Sequence, residues 1–322
     1  MHVSDHMSLL YEPKDRFHTV SSKMNFQPGS SQVLLVPFSS GCVRLFDLRV
    51  PSKVVIRVAL ELFSGANDVK FRPWSSSEFA VGCDDESIRL CDLRYPSSPT
   101  ESVQLVAKHT QSFTPGTPGS TASAVSGLCW NRSGQQLLVN FRSADPALFN
   151  LAAGGASGGP SQLCEPAATG AEGRAGKQVP TRQLLPLQTY AGRENVETCC
   201  KEAVFLLGED CVASGGDCGA LFVWKANSGE LVRRIVSDRC VVNCVAPHPF
   251  LPLLAVSGID DNVKLFDVGA SAQRTHDDEP ARAAGGQWQT RLSRETGFKR
   301  ASDCPENCAG LSAASPIACC AL

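Results

Sequence analysis

The sequence has almost no excess of either charge. Its 30 Lys and Arg residues are balanced by 32 Asp and Glu residues, which gives a formal net charge of −2 at pH 7. No tract of clustered basic residues stands out along the chain. Proteins that neutralise phosphates need clustered Lys and Arg side chains. The sequence therefore predicts a protein that does not bind nucleic acid directly.

Long apolar segments are also missing. The first residues, MHVSDHMSLLYEPKD, do not have the basic start and apolar core of a signal peptide. The best apolar run, residues 54–63, is interrupted by Arg57 and Glu61 and is too short for a membrane span. These features predict an intracellular protein, nuclear and/or cytoplasmic, with no membrane partner.

Cysteine is abundant, with 15 residues. Cys42, Cys91, Cys129 and Cys244 lie among the apolar residues of strand-like segments. A reduced thiol packs there as a small apolar group. We therefore expect packed free thiols, a reducing compartment and no disulfide framework.

One pattern occurs twice, VRLFDLR at residues 43–49 and IRLCDLR at residues 88–94, with an offset of 45 residues. A period of about 40–45 residues is typical of the four-stranded blades of WD-repeat propellers. The same register fits five windows, each with an apolar strand, a turn rich in Gly, Ser or Asp, and a second strand. The windows are 35–46, 80–91, 138–149, 213–224 and 255–266.

Short apolar segments before and after these windows supply the remaining strands of each blade. The inner strands are expected at 23–26, 67–71, 125–130, 202–207 and 241–249, and the outer strands at 54–63, 102–106, 183–190 and 231–236. We therefore predict an all-β propeller over residues 21–268. Residues 1–20 form a poorly defined segment, tracts of low complexity at about 109–124 and 152–182 are expected to be disordered insertions, and 269–322 a disordered tail.

The stretch 187–267 resembles the last two blades of the cullin-4-associated WD-repeat factors, and VVNCVAPHPF followed by SGID is its most specific part. The resemblance is to the subfamily of the nuclear-receptor interaction protein and the WD-and-tetratricopeptide-repeat protein. It extends more loosely over residues 33–149. Members are substrate receptors of cullin-4 RING ubiquitin ligases, so the resemblance implies a protein substrate, which the sequence does not identify.

The resemblance also implies a binding motif for the ligase's adaptor, the damage-specific DNA-binding protein. In this family an aromatic-Asp-x-Arg motif at the end of a blade strand contacts that adaptor. The matching positions are Phe46, Asp47 and Arg49 in one blade, and Asp92 and Arg94 in the next, where Cys91 replaces the aromatic residue. Alternatively, each Asp is the common terminal residue of a blade strand and each Arg is a solvated surface side chain.

The sequence departs from the family pattern in two places. Many WD blades carry a Gly-His pair whose His bonds toward the Asp of the hairpin turn, but here Gly192-Arg193 stands at that place. Five blades are visible and about 25 residues precede the first one. We therefore expect either an N-terminally incomplete seven-bladed ring or a ring that closes differently.

Several patterns that resemble catalytic or ligand sites have simpler interpretations. GGDCG at 215–219 resembles a cysteine-protease loop, but the blade register makes it a hairpin turn. Cys240, Cys244 and His248 have a metal-like spacing that a strand also produces. The match of Cys319 and the three residues after it to a prenylation signal is only four residues long.

With no convergent set of titratable residues, we predict a protein that is not an enzyme and has no cofactor or metal. A generic WD-repeat scaffold in another intracellular complex remains the alternative, because a fold does not determine its partner.

Overall fold

The computed structural model describes residues 23–50, 54–59, 65–94, 103–108, 124–151, 186–198 and 201–268, with the backbone alone for 54–59 and 103–108. These residues form five antiparallel sheets in chain order, which we call blades 1 to 5. Within the described ranges, no helix is long and apolar enough to cross a bilayer. The predicted segments at 1–20 and 269–322, and the insertions apart from residue 124, lie outside the described residues.

Blades 1 to 4 each contain four strands, and blade 5 contains three described strands. The strands are β1 Asn25–Phe26, β2 Val33–Pro37, β3 Cys42–Asp47 and β4 Val54–Ala59; β5 Ala66–Phe71, β6 Glu78–Cys83, β7 Ser87–Asp92 and β8 Val103–Lys108; β9 Val125–Trp130, β10 Gln136–Phe141, β11 Ala147–Asn150 and β12 Gln188–Thr189; β13 Ala203–Leu206, β14 Cys211–Gly215, β15 Ala220–Lys225 and β16 Leu231–Val236; β17 Val242–Pro247, β18 Leu253–Gly258 and β19 Lys264–Asp267.

All five predicted hairpin windows are confirmed, because each lies within the paired second and third strands of one blade, which begin two residues earlier and end one residue later. Within the described residues, β4 covers Val54–Ala59 of the outer strand predicted at 54–63, and β12 covers Gln188–Thr189 of the one predicted at 183–190. Residues 60–63 and 183–185 lie outside the described residues. A short outer strand needs few ladder hydrogen bonds because one of its edges faces away from the blade.

The blades pack face to face through apolar clusters. Leu35 and Val43 of blade 1 pack with Val81 of blade 2, and comparable clusters join blades 2 and 3, 3 and 4, and 4 and 5. Each fully buried Leu or Val contributes roughly 1.5–3 kcal/mol by leaving water. The contact between neighbouring blades is therefore the main source of stability in this repeat architecture.

No apolar cluster of the described residues joins blade 5 to blade 1. Cys244, which we expected to pack as a buried thiol, is instead exposed on β17. It lies opposite the face of β17 through which Val242 and Val245 pack against blade 4. Cys42 and Cys91 are buried as predicted, and Cys129 is half-buried. Closure of the ring by further blades stays a prediction.

The antiparallel order gives the blades two ends. Connections from first to second strands and from third to fourth strands lie at one end, which carries Arg49 and Arg94 and which we call the arginine face. The hairpin turns between second and third strands lie at the other end, together with the described residues of the connections between blades, at 190–198, 201–202 and 237–241. We call that end the hairpin face.

Candidate functional site

The first Asp-x-Arg motif forms a closed turn at the end of β3. Asp47 accepts a hydrogen bond from the Arg49 backbone N–H at 3.0 Å, and its two carboxylate oxygens accept Nε and Nη2 of the same Arg at 2.8 and 2.6 Å. Leu48 lies between them, and its backbone N–H donates to the Gln32 carbonyl at 2.8 Å. The guanidinium group is thus held in one orientation while 66% of the Arg49 side chain stays exposed.

The second motif repeats this geometry at the end of β7. The Arg94 backbone N–H donates to Asp92 at 2.9 Å, and its Nε and Nη2 donate to the same carboxylate at 2.9 and 2.5 Å. Arg94 is 64% exposed and also lies 3.7 Å from Glu78, at the start of β6. Two neighbouring blades therefore present the same fixed guanidinium fork, a group that pairs with planar acceptors in a way Lys does not reproduce.

The residues before the two Asp residues have a structural role in the chain. Phe46 is buried in a cluster with Leu34 and Phe38, and Cys91 is buried between blades 1 and 2. Neither side chain is open to a partner protein. The buried Phe46 side chain thus anchors the turn. The groups of the site that are exposed to a partner are those of the Asp-Arg pairs.

Ion pairing also perturbs the acidity of the two carboxyl groups. The hydrogen bonds from Arg49 lower the pKa of Asp47 to about 2, and those from Arg94 lower the pKa of Asp92. The Asp47 carboxylate in turn raises the pKa of Arg49. Both pairs are therefore fully charged near neutral pH.

Hydrogen bonds connect the two motifs into one surface. Gln27, in the connection before β2, donates its side-chain amide to the Ser76 carbonyl of blade 2 at 2.6 Å. The neighbouring residue Ser77 accepts the Leu93 backbone N–H at 2.9 Å. The two Asp-x-Arg turns are therefore linked through the loop before β6.

The equivalent strand ends in the other blades do not carry the motif. β11 ends at Asn150, β15 at Lys225 and β19 at Asp267, and the positions two residues further on are Ala152, Asn227 and Gly269. Among the five blades, only blades 1 and 2 combine the strand-terminal Asp with the following Arg. The sequence signal for the site is therefore confined to two neighbouring blades.

Two cations on the hairpin face, Arg193 and Lys201, are buried, and the first of them connects two blades. Arg193 donates from Nη1 to Ser214 Oγ and the Gly215 carbonyl, both at 2.9 Å, and from Nη2 to Asn140 Oδ1 at 2.6 Å. Burial lowers its pKa to about 10. It thus joins blade 3 to blade 4, which the sequence indicated only as a departure from the usual Gly-His pair.

The hairpin-turn carboxylate of blade 4 pairs with a different cation. Asp217 forms an ion pair with fully buried Lys201 and accepts the Val196 backbone N–H at 2.5 Å. Burial lowers the pKa of Lys201, while Asp217 acts in the opposite direction. Asp217 and Cys218 lie in the turn between β14 and β15, so the interpretation of GGDCG as a turn is confirmed.

The imidazole of His248 is hydrogen-bonded to the local backbone. Its Nδ1 accepts the backbone N–H groups of Phe250 and Leu251 at 3.1 and 2.9 Å. Across the part of the chain that the structure describes, no group of three His, Cys, Asp or Glu side chains is arranged to hold a metal ion.

A family model described as "WD domain, G-beta repeat" matches residues 229–267. The matched residues run from β16, the outer strand of blade 4, through the three strands of blade 5. The same strand order recurs in the preceding blades. Residues 229–267 therefore contain a WD repeat, and the five described sheets are consistent with WD-repeat blades.

Curated relatives of this WD-repeat chain include proteins named for the cullin-4 machinery. The chain is 44% identical to human DDB1- and CUL4-associated factor 6 over 85 residues, which is 26% of the chain and 10% of the relative. It is 40% identical to mouse WD and tetratricopeptide repeats protein 1 over 79 residues, 24% of the chain and 12% of the relative. It is 39% identical to Protein ALTERED SEED GERMINATION 2 of Arabidopsis thaliana over 99 residues, 30% of the chain and 12% of the relative.

These matches support the expected resemblance to cullin-4-associated WD-repeat factors, at partial coverage. The matched stretches span about a tenth of the length of these relatives. Together with the WD-repeat match, they point to an adaptor fold and not to a catalytic one.

Proposed function

We propose that this WD-repeat chain is a non-catalytic substrate receptor of a cullin-4 RING ubiquitin ligase. It binds DDB1, the damage-specific DNA-binding adaptor, through Asp47 and Arg49 of blade 1 and Asp92 and Arg94 of blade 2. Ubiquitin transfer is carried out by the partner proteins. The nuclear and/or cytoplasmic location expected from the sequence belongs to the same proposal.

One observation carries the proposal: two exposed guanidinium forks with the same geometry lie on one face of neighbouring blades. Arg49 and Arg94 are each oriented by their own Asp, so little side-chain entropy is lost when a partner binds. Neither pair joins two blades, so the blade-to-blade packing does not account for them. The name of one relative, human DDB1- and CUL4-associated factor 6, suggests the partner.

The test measures the affinity of the full chain for purified DDB1 by titration calorimetry. Joint Arg49→Ala and Arg94→Ala substitution is expected to weaken binding at least about 30-fold, the loss typical of interface hot spots. Joint replacement by Lys keeps the charge but loses the fork, so it is expected to restore only part of the affinity.

Arg239→Ala is the matched control. Arg239 is 79% exposed and donates from Nε to Asp260 at 2.7 Å, but it lies on the hairpin face. Its replacement is expected to leave the affinity unchanged. Equal affinities for wild type and the double Arg variant would refute the assigned role of the arginines. Purified complexes without DDB1 and cullin would instead favour the alternative, a WD-repeat scaffold of another intracellular assembly.

A further inference from the structure

We propose that Trp74 is the apolar anchor of the arginine face and enters an apolar pocket of DDB1 next to the acceptors that bind Arg49 and Arg94. The inference rests on the proposed function. It adds an apolar contact to the polar contacts of the Asp-x-Arg motifs. The partner surface must then combine an apolar pocket with carboxylate or carbonyl acceptors.

Trp74 lies in the loop between β5 and β6, beside the second motif. The same loop contains Ser77, whose carbonyl accepts the Leu93 backbone N–H, and it leads into Glu78, which lies 3.7 Å from Arg94. Its residue Ser76 is also the acceptor for Gln27 of blade 1. Trp74 therefore belongs to the segment that joins the two arginine turns.

The indole of Trp74 is exposed and oriented at the same time. The side chain is 88% exposed, and its Nε1 donates to the Arg132 carbonyl of blade 3 at 2.8 Å. Trp224, in contrast, is fully buried, and Trp130 nearly so. A rigid aromatic side chain that is oriented before binding loses little entropy on binding, and Trp is enriched among interface hot spots.

The backbone of Trp74 is unfavourable for the isolated chain. Its φ is +66°, in the left-handed region that costs an L-residue roughly 1–2 kcal/mol. Glycine or Asn would adopt this conformation more readily. Trp74 also belongs to none of the apolar clusters formed by the described residues. Trp74 therefore contributes little to folding beyond its hydrogen bond to the Arg132 carbonyl, whereas contact with a partner would use its exposed ring.

Phe250 provides a comparison within the chain. It lies in the corresponding loop of blade 5, between β17 and β18, and is 89% exposed. Blade 5 carries Asp267 at the end of β19 but no Arg after it. The Trp74 loop differs from the Phe250 loop in having an Asp-x-Arg turn beside it, so it is the loop that continues the proposed docking surface.

The experiment compares Trp74→Ala, Trp74→Phe and Phe250→Ala in calorimetric titrations of the full chain with purified DDB1. Trp74→Ala is expected to weaken binding about 30-fold. Trp74→Phe is expected to lose less affinity than Trp74→Ala. Phe250→Ala is expected to weaken binding less than twofold. Unfolding curves of the same variants check that each one folds.

The outcomes separate this inference from the proposed function. If the double Arg variant loses affinity while Trp74→Ala binds as tightly as wild type, the anchor role is refuted and the docking proposal stands. If Trp74→Ala loses affinity while the double Arg variant does not, the anchor stands and the role of the arginines falls. An equal loss in Phe250→Ala, or no binding by the wild-type chain, contradicts the inference.

Discussion

The two faces of the blades use the same ionic chemistry in opposite ways. On the arginine face, Arg49 and Arg94 pair with Asp residues two positions earlier and remain about two-thirds exposed. On the hairpin face, Arg193 and Lys201 are buried and bond to groups far away in the chain or in another blade. Pairs that are local and exposed contribute little to folding and can meet a partner, whereas buried pairs that join blades hold the structure together.

The largest expected effect concerns the buried ion pair between Lys201 and Asp217 on the hairpin face. Asp217→Asn leaves the Lys201 cation buried without its counter-ion, and we expect the free energy of unfolding to fall by about 3–5 kcal/mol in urea titrations. Adding Lys201→Met should recover much of that loss, because the unpaired charge is then removed. Asp47→Asn on the arginine face is the control and should change stability far less, because its ion pair is exposed to solvent. Equal effects of Asp217→Asn and Asp47→Asn would contradict the distinction between the faces.

A second large effect is expected at Arg193. Arg193→Ala removes the donor for Asn140 Oδ1 in blade 3 and for the Gly215 carbonyl in blade 4. Since each buried acceptor left unpaired costs about 1–3 kcal/mol, we expect a loss of about 3 kcal/mol in the same titrations. Exposed Arg239 supplies the control, because Arg239→Ala should have a much smaller effect on stability. A loss at Arg193 no larger than at Arg239 would show that the guanidinium does not hold the two blades together.

The sequence predicted the repeat more completely than it predicted these contacts. Alternating apolar residues and Gly-, Ser- or Asp-containing turns are local signals, and they located all five central hairpins. Arg193 was visible only as a departure from a pattern, because Asn140 lies 53 residues before it and Ser214 lies 21 after it. Trp74 carried no local signal either, since exposure and backbone conformation depend on the folded loop.

A smaller effect on stability is expected on the arginine face. Trp74→Gly removes the cost of a left-handed Trp, but it increases the freedom of the unfolded chain and loses the hydrogen bond to the Arg132 carbonyl. These effects nearly cancel, so we expect the free energy of unfolding to change by less than about 1 kcal/mol while the affinity for DDB1 falls. Phe250→Gly should leave that affinity unchanged. A marked loss of stability in Trp74→Gly would mean that Trp74 serves the fold.

The smallest effect concerns the titration of Asp47. Its folded pKa, about 2, lies below the ordinary value of 3.8, so the Arg49 pair stabilises the fold above pH 3.8 and this contribution is lost as the pH falls towards 2. Carboxyl-carbon NMR titration should give this low pKa in wild type and a value closer to 3.8 in Arg49→Ala. A wild-type pKa near 3.8 would show that the fork is not held by Asp47 in solution.

The most direct measurement of the central claim is hydrogen–deuterium exchange of the full chain with and without purified DDB1. We predict slower exchange in peptides that cover residues 47–50 and 72–78 and the Asp92–Arg94 turn, and unchanged exchange in peptides that cover 190–198 and 216–219. Protection of the hairpin face with no change on the arginine face would contradict the account.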